Sequence, residues 1–232
     1  MRDAESATAS ATITLNVLNV EDGPLTDAQK EFVEEYIYLT YKLSPTASGG
    51  TLSEKWQGVL NVYIEGVSDS YLNTLNSFLD EYRGFITDGT AIQLVNTAAE
   101  ANVHVIFGPT EAVREQWPDM YEFIKSNQFG GYALYNSTFD NYIFQGRIWM
   151  GYEDEGLFKH EFGHIIGLGH TSDQYCADEI TSVMCSGAAQ EFNDFDREII
   201  KTLYHPDTPV GLTTIQMREH VEGFIVANGV EL

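Results

Sequence analysis

The sequence predicts an α+β protein in which a mixed sheet precedes a helical and irregular C-terminal part. Short segments of alternating or continuous apolar residues, such as 59–65 (VLNVYIE) and 103–107 (VHVIF), are typical of strands. They alternate with segments of helical apolar spacing, such as 70–82. Strands that alternate with helices favour an α/β-like layer with mostly parallel pairing. Beyond about residue 155 the pattern becomes helical or irregular, which predicts a second subdomain.

The first 24 residues contain a short alternating pattern. Thr12, Thr14 and Asn16 alternate with Ile13 and Leu15, which indicates a strand with one buried face. This segment is similar to the last strand and acidic linker of cadherin-like repeats. The resemblance implies a longer surface protein and linker acids that bind calcium. The alternative is an ordinary N-terminal strand or a disordered tail.

Residues 25–54 form a predicted helical prefix followed by a loop. Thr26 is a suitable N-cap, and apolar residues recur at helical spacing up to about Lys42. Pro45 and a pair of glycines then mark the loop. We expect this prefix to pack on the main domain, which we place at 55–232, without contributing to its chemistry.

The main domain continues with strands and helices in alternation. His104 lies within a predicted strand, and we interpret it as structural rather than as a metal ligand. Pro118 is expected to break a short helix within 110–124. Asn193 and Asp194 are expected to begin a helix near the C-terminus. Besides those elements, the predicted segments are strands at 59–65, 92–95, 103–107, 131–135 and 142–150, and helices at 70–82 and 213–226.

The motif H-E-x-x-H-x-x-G-x-x-H lies on a helix predicted at about 155–167. Side chains four residues apart lie on the same face of a helix, so His160 and His164 present two imidazoles to one ion. His170 supplies a third once the chain turns back. Three histidines and one water make the tetrahedral ligand set of a catalytic zinc ion, and we therefore predict Zn²⁺ as the cofactor. Asp173 is an alternative third ligand.

Two further positions in the motif have predicted roles. Gly167 can adopt the left-handed conformation that ends a helix and lets the chain return sharply. Glu161 follows the first histidine and is close enough to reach a water on the open side of the metal. We predict that Glu161 acts as the general base. The alternative is an amphipathic helix whose histidines have only structural partners.

The charge balance limits the partners. The chain has 12 Lys plus Arg and 35 Asp plus Glu, a net charge of −23. Such a surface repels phosphate backbones and anionic lipid, so we expect neither nucleic acid nor membrane partners. We expect a monomer with no membrane-inserted segment. The acids either solvate the surface or supply oxygen ligands to a structural Ca²⁺. No basic start followed by an apolar stretch, as in an export signal, is visible at the N-terminus.

The only two cysteines, Cys176 and Cys185, bracket the segment that follows the histidine motif. A disulfide between them would close a short loop and hold that segment in place. Such a bridge indicates an oxidising compartment, so we predict a secreted or cell-surface protein. The alternative is a pair of buried thiols.

The motif and the methionine that follows it resemble the metzincin zinc endopeptidases. Met184, in the sequence SVMC, is similar to the Met-turn of that family, which implies an apolar floor beneath the zinc; its alternative role is core filling. Ser186 stands where astacin-like and serralysin-like enzymes have a zinc-facing tyrosine, so the matrixin-like arrangement fits better. The resemblance also implies that 131–135 is an antiparallel edge strand that binds an extended peptide; the alternative is a plain hairpin strand.

Three further segments resemble an uncharacterised bacterial family of predicted metzincin-type peptidases. They are WQGVLNVYIEG, ANVHVIFG and FDREIIKTLYHPDTPVGLT. The predicted function is zinc-dependent hydrolysis of peptide bonds in a peptide or protein substrate. One alternative is a non-catalytic zinc-containing binding or adhesion module of a surface protein, and another is a different metal-assisted hydrolase such as an amidase. The acid at position 161 favours catalysis, because a purely structural zinc site does not need it.

Overall fold

A computed structural model describes residues 25–45, 49–176, 181–187 and 191–228. The strand and linker predicted within residues 1–24 lie outside these ranges. The described residues form a mixed α+β structure, as the sequence predicts. The strands are β1 (Lys55–Trp56), β2 (Val59–Glu65), β3 (Ala91–Leu94), β4 (Val103–Phe107), β5 (Gly131–Ser137) and β6 (Tyr142–Met150). The α-helices are α1 (Asp27–Thr40), α2 (Asp69–Phe85), α3 (Pro118–Ile124), α4 (Glu155–Ile165), α5 (Asp194–Leu203) and α6 (Thr214–Asn228).

The six strands form one mixed sheet. Its order is β1-β6-β4-β2-β3, and all of these neighbours are parallel. Strand β5 pairs antiparallel with β6, with Gly131 opposite Met150 and Tyr135 opposite Gly146. The predicted mixed sheet with one antiparallel edge strand is therefore confirmed. The sheet brings the start of β5 beside the end of β6, from which the chain enters α4.

Local sequence signals explain where several helices begin. Thr26 caps α1 in a capping box with Gln29, and Asn193 caps α5 in the same way with Asp196. The prediction that Pro118 breaks a helix is wrong, because Pro118 occupies the first turn of α3. A proline is tolerated there because the first backbone N–H groups of a helix have no partner within it. The residues before it form a separate 3₁₀ turn at Thr110–Val113.

Two apolar clusters cover the two faces of the sheet. The larger lies between the sheet and the helices and includes the buried side chains of Phe32, Tyr36 and Leu39 from α1. Helix α1 thus shares one core with the strands and with α4. The smaller cluster is on the other face and joins the sheet to α3 and the preceding turn; it contains Ile106, Val113, Trp117, Met120, Ile124 and Trp149. None of the helices in the described ranges is long and apolar enough to cross a membrane.

Candidate metal centre

Helix α4 carries the first two histidines and ends just before the turn that returns the third. Its N-cap, Asp154, accepts a hydrogen bond from the backbone N–H of Leu157 at 2.8 Å. Gly167 has a φ of +105°, which L side chains rarely adopt, and the N–H of Leu168 donates to the carbonyl of Gly163 at 3.0 Å. The chain therefore reverses within a few residues and brings His170 back to the helix.

Three histidines converge at this turn. The potential ligand atoms of His160, His164 and His170 all lie within 4.8 Å of one another. The Nδ1 atoms of His160 and His164 face the carbonyl oxygens of Val183 at 2.8 Å and Leu168 at 2.9 Å. A carbonyl can only accept, so each Nδ1 carries the hydrogen and each Nε2 presents a lone pair.

The two Nε2 atoms are only 3.1 Å apart. Two facing lone pairs repel each other at that distance, and a cation would relieve the repulsion. Nitrogen ligands about 2.0 Å from a tetrahedral ion lie roughly 3.3 Å apart, close to the spacing found here. The arrangement of His160, His164 and His170 therefore fits a metal ion.

The environment also keeps the imidazoles neutral, which ligation requires. Burial lowers the pKa of His160 to about 4. Burial likewise holds the pKa of His164 well below its usual value, with smaller contributions from His160 and His170, and it lowers the pKa of His170. At neutral pH all three rings therefore offer a lone pair.

Glu161 belongs to helix α4, and its side chain lies against the start of the edge strand. Its side chain is buried, and burial raises the pKa of the carboxyl to about 8. A Cβ added at Gly131 would be 2.8 Å from Oε1 of Glu161, so the absence of a side chain at residue 131 makes room for the carboxylate. The carboxylate therefore borders the edge at which β5 begins, and it belongs to the helix that carries His160 and His164.

Met184 packs beneath the helix between the two histidines. It is buried, and its Sδ would lie 2.3 Å from a Cβ added at Gly163. The neighbouring Val183 supplies the carbonyl that orients His160. Ser186, two residues after the methionine, is exposed.

Residues 182–184 form the floor of the site, and the buried carboxylate of Asp196 on α5 holds them in place. The sequence did not reveal this contact. Asp196 accepts hydrogen bonds from Ser182 Oγ at 2.5 Å and from the Val183 N–H at 3.1 Å. Burial raises the pKa of Asp196, and these hydrogen bonds oppose that effect. In the sequence, Asp196 is recognisable only as a member of the capping box of α5, which predicts no contact with a distant loop.

The predicted disulfide between Cys176 and Cys185 is confirmed. The two Cα atoms are 5.6 Å apart, and neither cysteine remains as a thiol. The bridge joins the 3₁₀ turn after His170 to the residue that follows Met184. It therefore links the segment carrying the third histidine to the floor of the site.

The edge strand has a polar and an aromatic end. Glu54 accepts hydrogen bonds from Tyr135 Oη and Ser137 Oγ, both at 2.5 Å, and so anchors the second half of β5. Near its start, Tyr132 packs against the rings of the partly exposed Phe123 and Phe129, with centroid distances of 4.8 and 5.8 Å. Apolar surface therefore lies beside the end of β5 that borders Glu161.

Other candidate ligands do not join the histidines. Asp173 begins a 3₁₀ turn and is not among the converging atoms. His104 lies 3.0 Å from a carboxylate oxygen of Glu65 on the neighbouring strand, in line with a structural role. Within the described ranges, the three histidines are the only group of three or more His, Cys, Asp or Glu side chains that could hold a metal ion, so no cluster of carboxylates supports the calcium prediction.

The comparisons with known proteins give a distant structural likeness only. No protein-family model and no curated protein match the chain. Two solved structures of myroilysin align with it. One is 14% identical with a TM-score of 0.42, and the alignment covers 65% of this chain and 95% of that one. The other is 15% identical with a TM-score of 0.45 and coverages of 66% and 86%. Such values transfer no activity to this chain.

Proposed function

We propose that the protein is a zinc-dependent endopeptidase of the metzincin type. The observation that carries the proposal is the convergence of three neutral imidazoles on a segment that also contains the buried carboxylate of Glu161, which lies against the start of the edge strand. A purely structural metal site has no use for an acid at that position. The order of His160, Glu161, His164 and His170 along the chain matches the metzincin motif, and the burial of Met184 against Gly163 supports its assignment as the Met-turn.

His160, His164 and His170 would hold the zinc through nitrogen. A zinc ion held there would supply Lewis acidity, which would lower the pKa of a water molecule to about 7 and polarise a peptide carbonyl. The carbonyls of Val183 and Leu168 fix the ring orientations of the first two histidines, as partners of metal-bound histidines commonly do. Ser186 in place of a tyrosine favours the matrixin-like arrangement of three histidines plus solvent.

Glu161 would move the proton. Its carboxylate is buried, so its pKa is raised and it accepts a proton more readily than an exposed glutamate; a nearby divalent cation would bring that pKa back down. As water adds to the scissile carbonyl, Glu161 takes the proton and then delivers it to the leaving amine. Because Glu161 lies against Gly131, this exchange would take place at the start of the edge strand.

The edge strand would bind the substrate. Strand β5 pairs with β6 alone in the described part of the chain, so its outer edge is available to an extended peptide through backbone hydrogen bonds. Phe123 and Phe129 would offer apolar surface to substrate side chains near the same end. We propose that the protein is extracellular, because its disulfide is compatible with an oxidising compartment.

The variant Glu161→Gln tests the proposal. It keeps the shape of the side chain and removes its basicity, so zinc should remain bound while peptide cleavage falls by about 100-fold or more. Glu155→Gln is the matched control, because Glu155 is exposed on the first turn of the same helix. Cleavage of a mixed peptide library is followed by mass spectrometry, with and without a chelator. Full activity in Glu161→Gln, or cleavage that the chelator does not affect, would contradict the proposal.

A further inference from the structure

Helix α1 contributes a buried carboxylate to the segment that follows the third histidine. Glu35 is 3% exposed. One of its oxygens accepts hydrogen bonds from Thr171 Oγ at 2.5 Å and from the Ser172 N–H at 2.8 Å, and the other accepts from Ser172 Oγ at 2.6 Å. A buried carboxylate is costly unless its hydrogen-bonding capacity is satisfied, and three hydrogen bonds to one charged group offset much of that cost.

The same helix holds the chain on the other side of His170. The N–H of Gly169 donates to the carbonyl of Leu39 at 2.8 Å. Residues 169, 171 and 172, which flank the third histidine, therefore all donate hydrogen bonds to α1. The Thr171 N–H also donates to the carbonyl of Met184 at 3.2 Å, which ties this segment to the floor of the site.

His170 depends on such support more than the other two histidines do. His160 and His164 are placed by α4 itself, whereas His170 lies beyond the turn at Gly167 and outside any helix. A ligand on an irregular segment keeps its position only if that segment is fixed by its surroundings. The fixed points on either side of it are largely those supplied by α1.

We propose that Glu35 is a positioning residue of the metal centre, which holds Thr171 and Ser172 and thereby fixes His170 for ligation. The inference rests on the proposed zinc site and extends it to a helix outside the histidine motif. If Glu35 only anchored α1 to the core, its replacement would lower the stability of the fold without changing the affinity for metal or the ligand set. The two roles therefore differ in a measurable way.

The test compares Glu35→Gln with Glu34→Gln in the full chain. Gln at residue 35 keeps the shape but replaces one accepting oxygen with an NH₂ group that faces hydrogen-bond donors. Glu34 precedes it on the same helix and forms an exposed ion pair with Arg218. Zinc affinity is measured by competition with a chromophoric chelator. We expect a roughly tenfold or greater loss in Glu35→Gln, the scale on which supporting residues act, and no change in Glu34→Gln.

Two further readouts separate positioning from general destabilisation. The visible spectrum of the cobalt-substituted protein reports its ligand set and should change in Glu35→Gln. Ile225→Val, a core substitution on α6, serves as a destabilised control and should keep the wild-type affinity and spectrum. Wild-type affinity in Glu35→Gln, or an equal loss in Ile225→Val, would overturn the inference.

If Glu35→Gln does not fold, Thr171→Val and Ser172→Ala replace it. Each removes one hydroxyl that donates to Glu35. Reduced zinc affinity in either variant supports the inference, and wild-type affinity in both overturns it. A wild-type protein that binds no zinc, or that binds it without cleaving peptides, would instead refute the proposed function. The two failures are therefore distinguishable.

Discussion

Replacing Gly131 by Ala tests whether Glu161 acts as the general base from its position against the start of β5. A new Cβ would lie 2.8 Å from Oε1 of Glu161, whereas ordinary contact begins at 3.4 Å, so the carboxylate must move by about 3.4 − 2.8 = 0.6 Å. A 1 Å misplacement of a reacting group can lower a rate by about 100-fold, and we therefore expect turnover in Gly131→Ala to fall roughly tenfold. The effect should appear in kcat for a peptide substrate.

The fold and the zinc content should be retained in Gly131→Ala. The atoms that must move are Oε1, Cγ and Cδ of the buried Glu161 and none of the backbone, so the unfolding midpoint should fall, but the fold should be retained. Zinc content should also be unchanged, because the new methyl group meets Glu161 and not the histidines. Gly84→Ala is the matched control, since a Cβ there meets no atom within 4 Å. Wild-type kcat in Gly131→Ala would refute the role and placement assigned to Glu161.

Two further predictions concern stability. Replacing Cys176 and Cys185 by Ser removes a cross-link with a sequence separation of 9 and should lower the free energy of unfolding by about 2.5 kcal/mol, measured by urea denaturation; an unchanged value would contradict this estimate. The hydrogen bonds from Arg147 hold the pKa of Asp119 at about 2, below the usual 3.8, so this pair stabilises the fold fully above about pH 4 and loses that effect as the pH falls through about 2. Asp119→Asn should remove this part of the acid sensitivity, and the effect should be small because Asp119 is largely exposed. If the urea midpoints of Asp119→Asn fall between pH 5 and pH 2 as those of wild type do, the prediction is contradicted.

The sequence reveals elements whose signals are local. Strands β2 and β4 lie at the predicted residues, since a two-residue alternation or a short apolar run between turns is read within the segment itself. The starts of α1 and α5 are also predicted, because Thr26 and Asn193 cap helices through their own side chains. Pro118 shows the limit of such signals. A proline both ends and begins helices, and only the preceding turn decides which.

The supports of the site are harder to predict because their partners are distant in sequence. Glu35 and Ser172 are 137 residues apart, and no local pattern connects them. One signal was nevertheless present. Glu35 lies on the same face of α1 as Phe32 and Leu39, and an acid among buried apolar positions of a helix requires partners elsewhere in the fold. The neighbouring Glu34 points to solvent and lacks that signal.

Two buried carboxylates outside the histidine motif thus hold two different segments of the candidate metal centre. Asp196 holds the segment whose Val183 carbonyl orients His160, and Glu35 holds the segment that follows His170. A carboxylate suits this task because its two oxygens accept several hydrogen bonds at once from backbone and hydroxyl donors, whereas an apolar side chain would leave those donors unpaired in the interior. The motif therefore specifies which atoms could bind a metal, whereas α1 and α5 hold segments that lie next to those atoms.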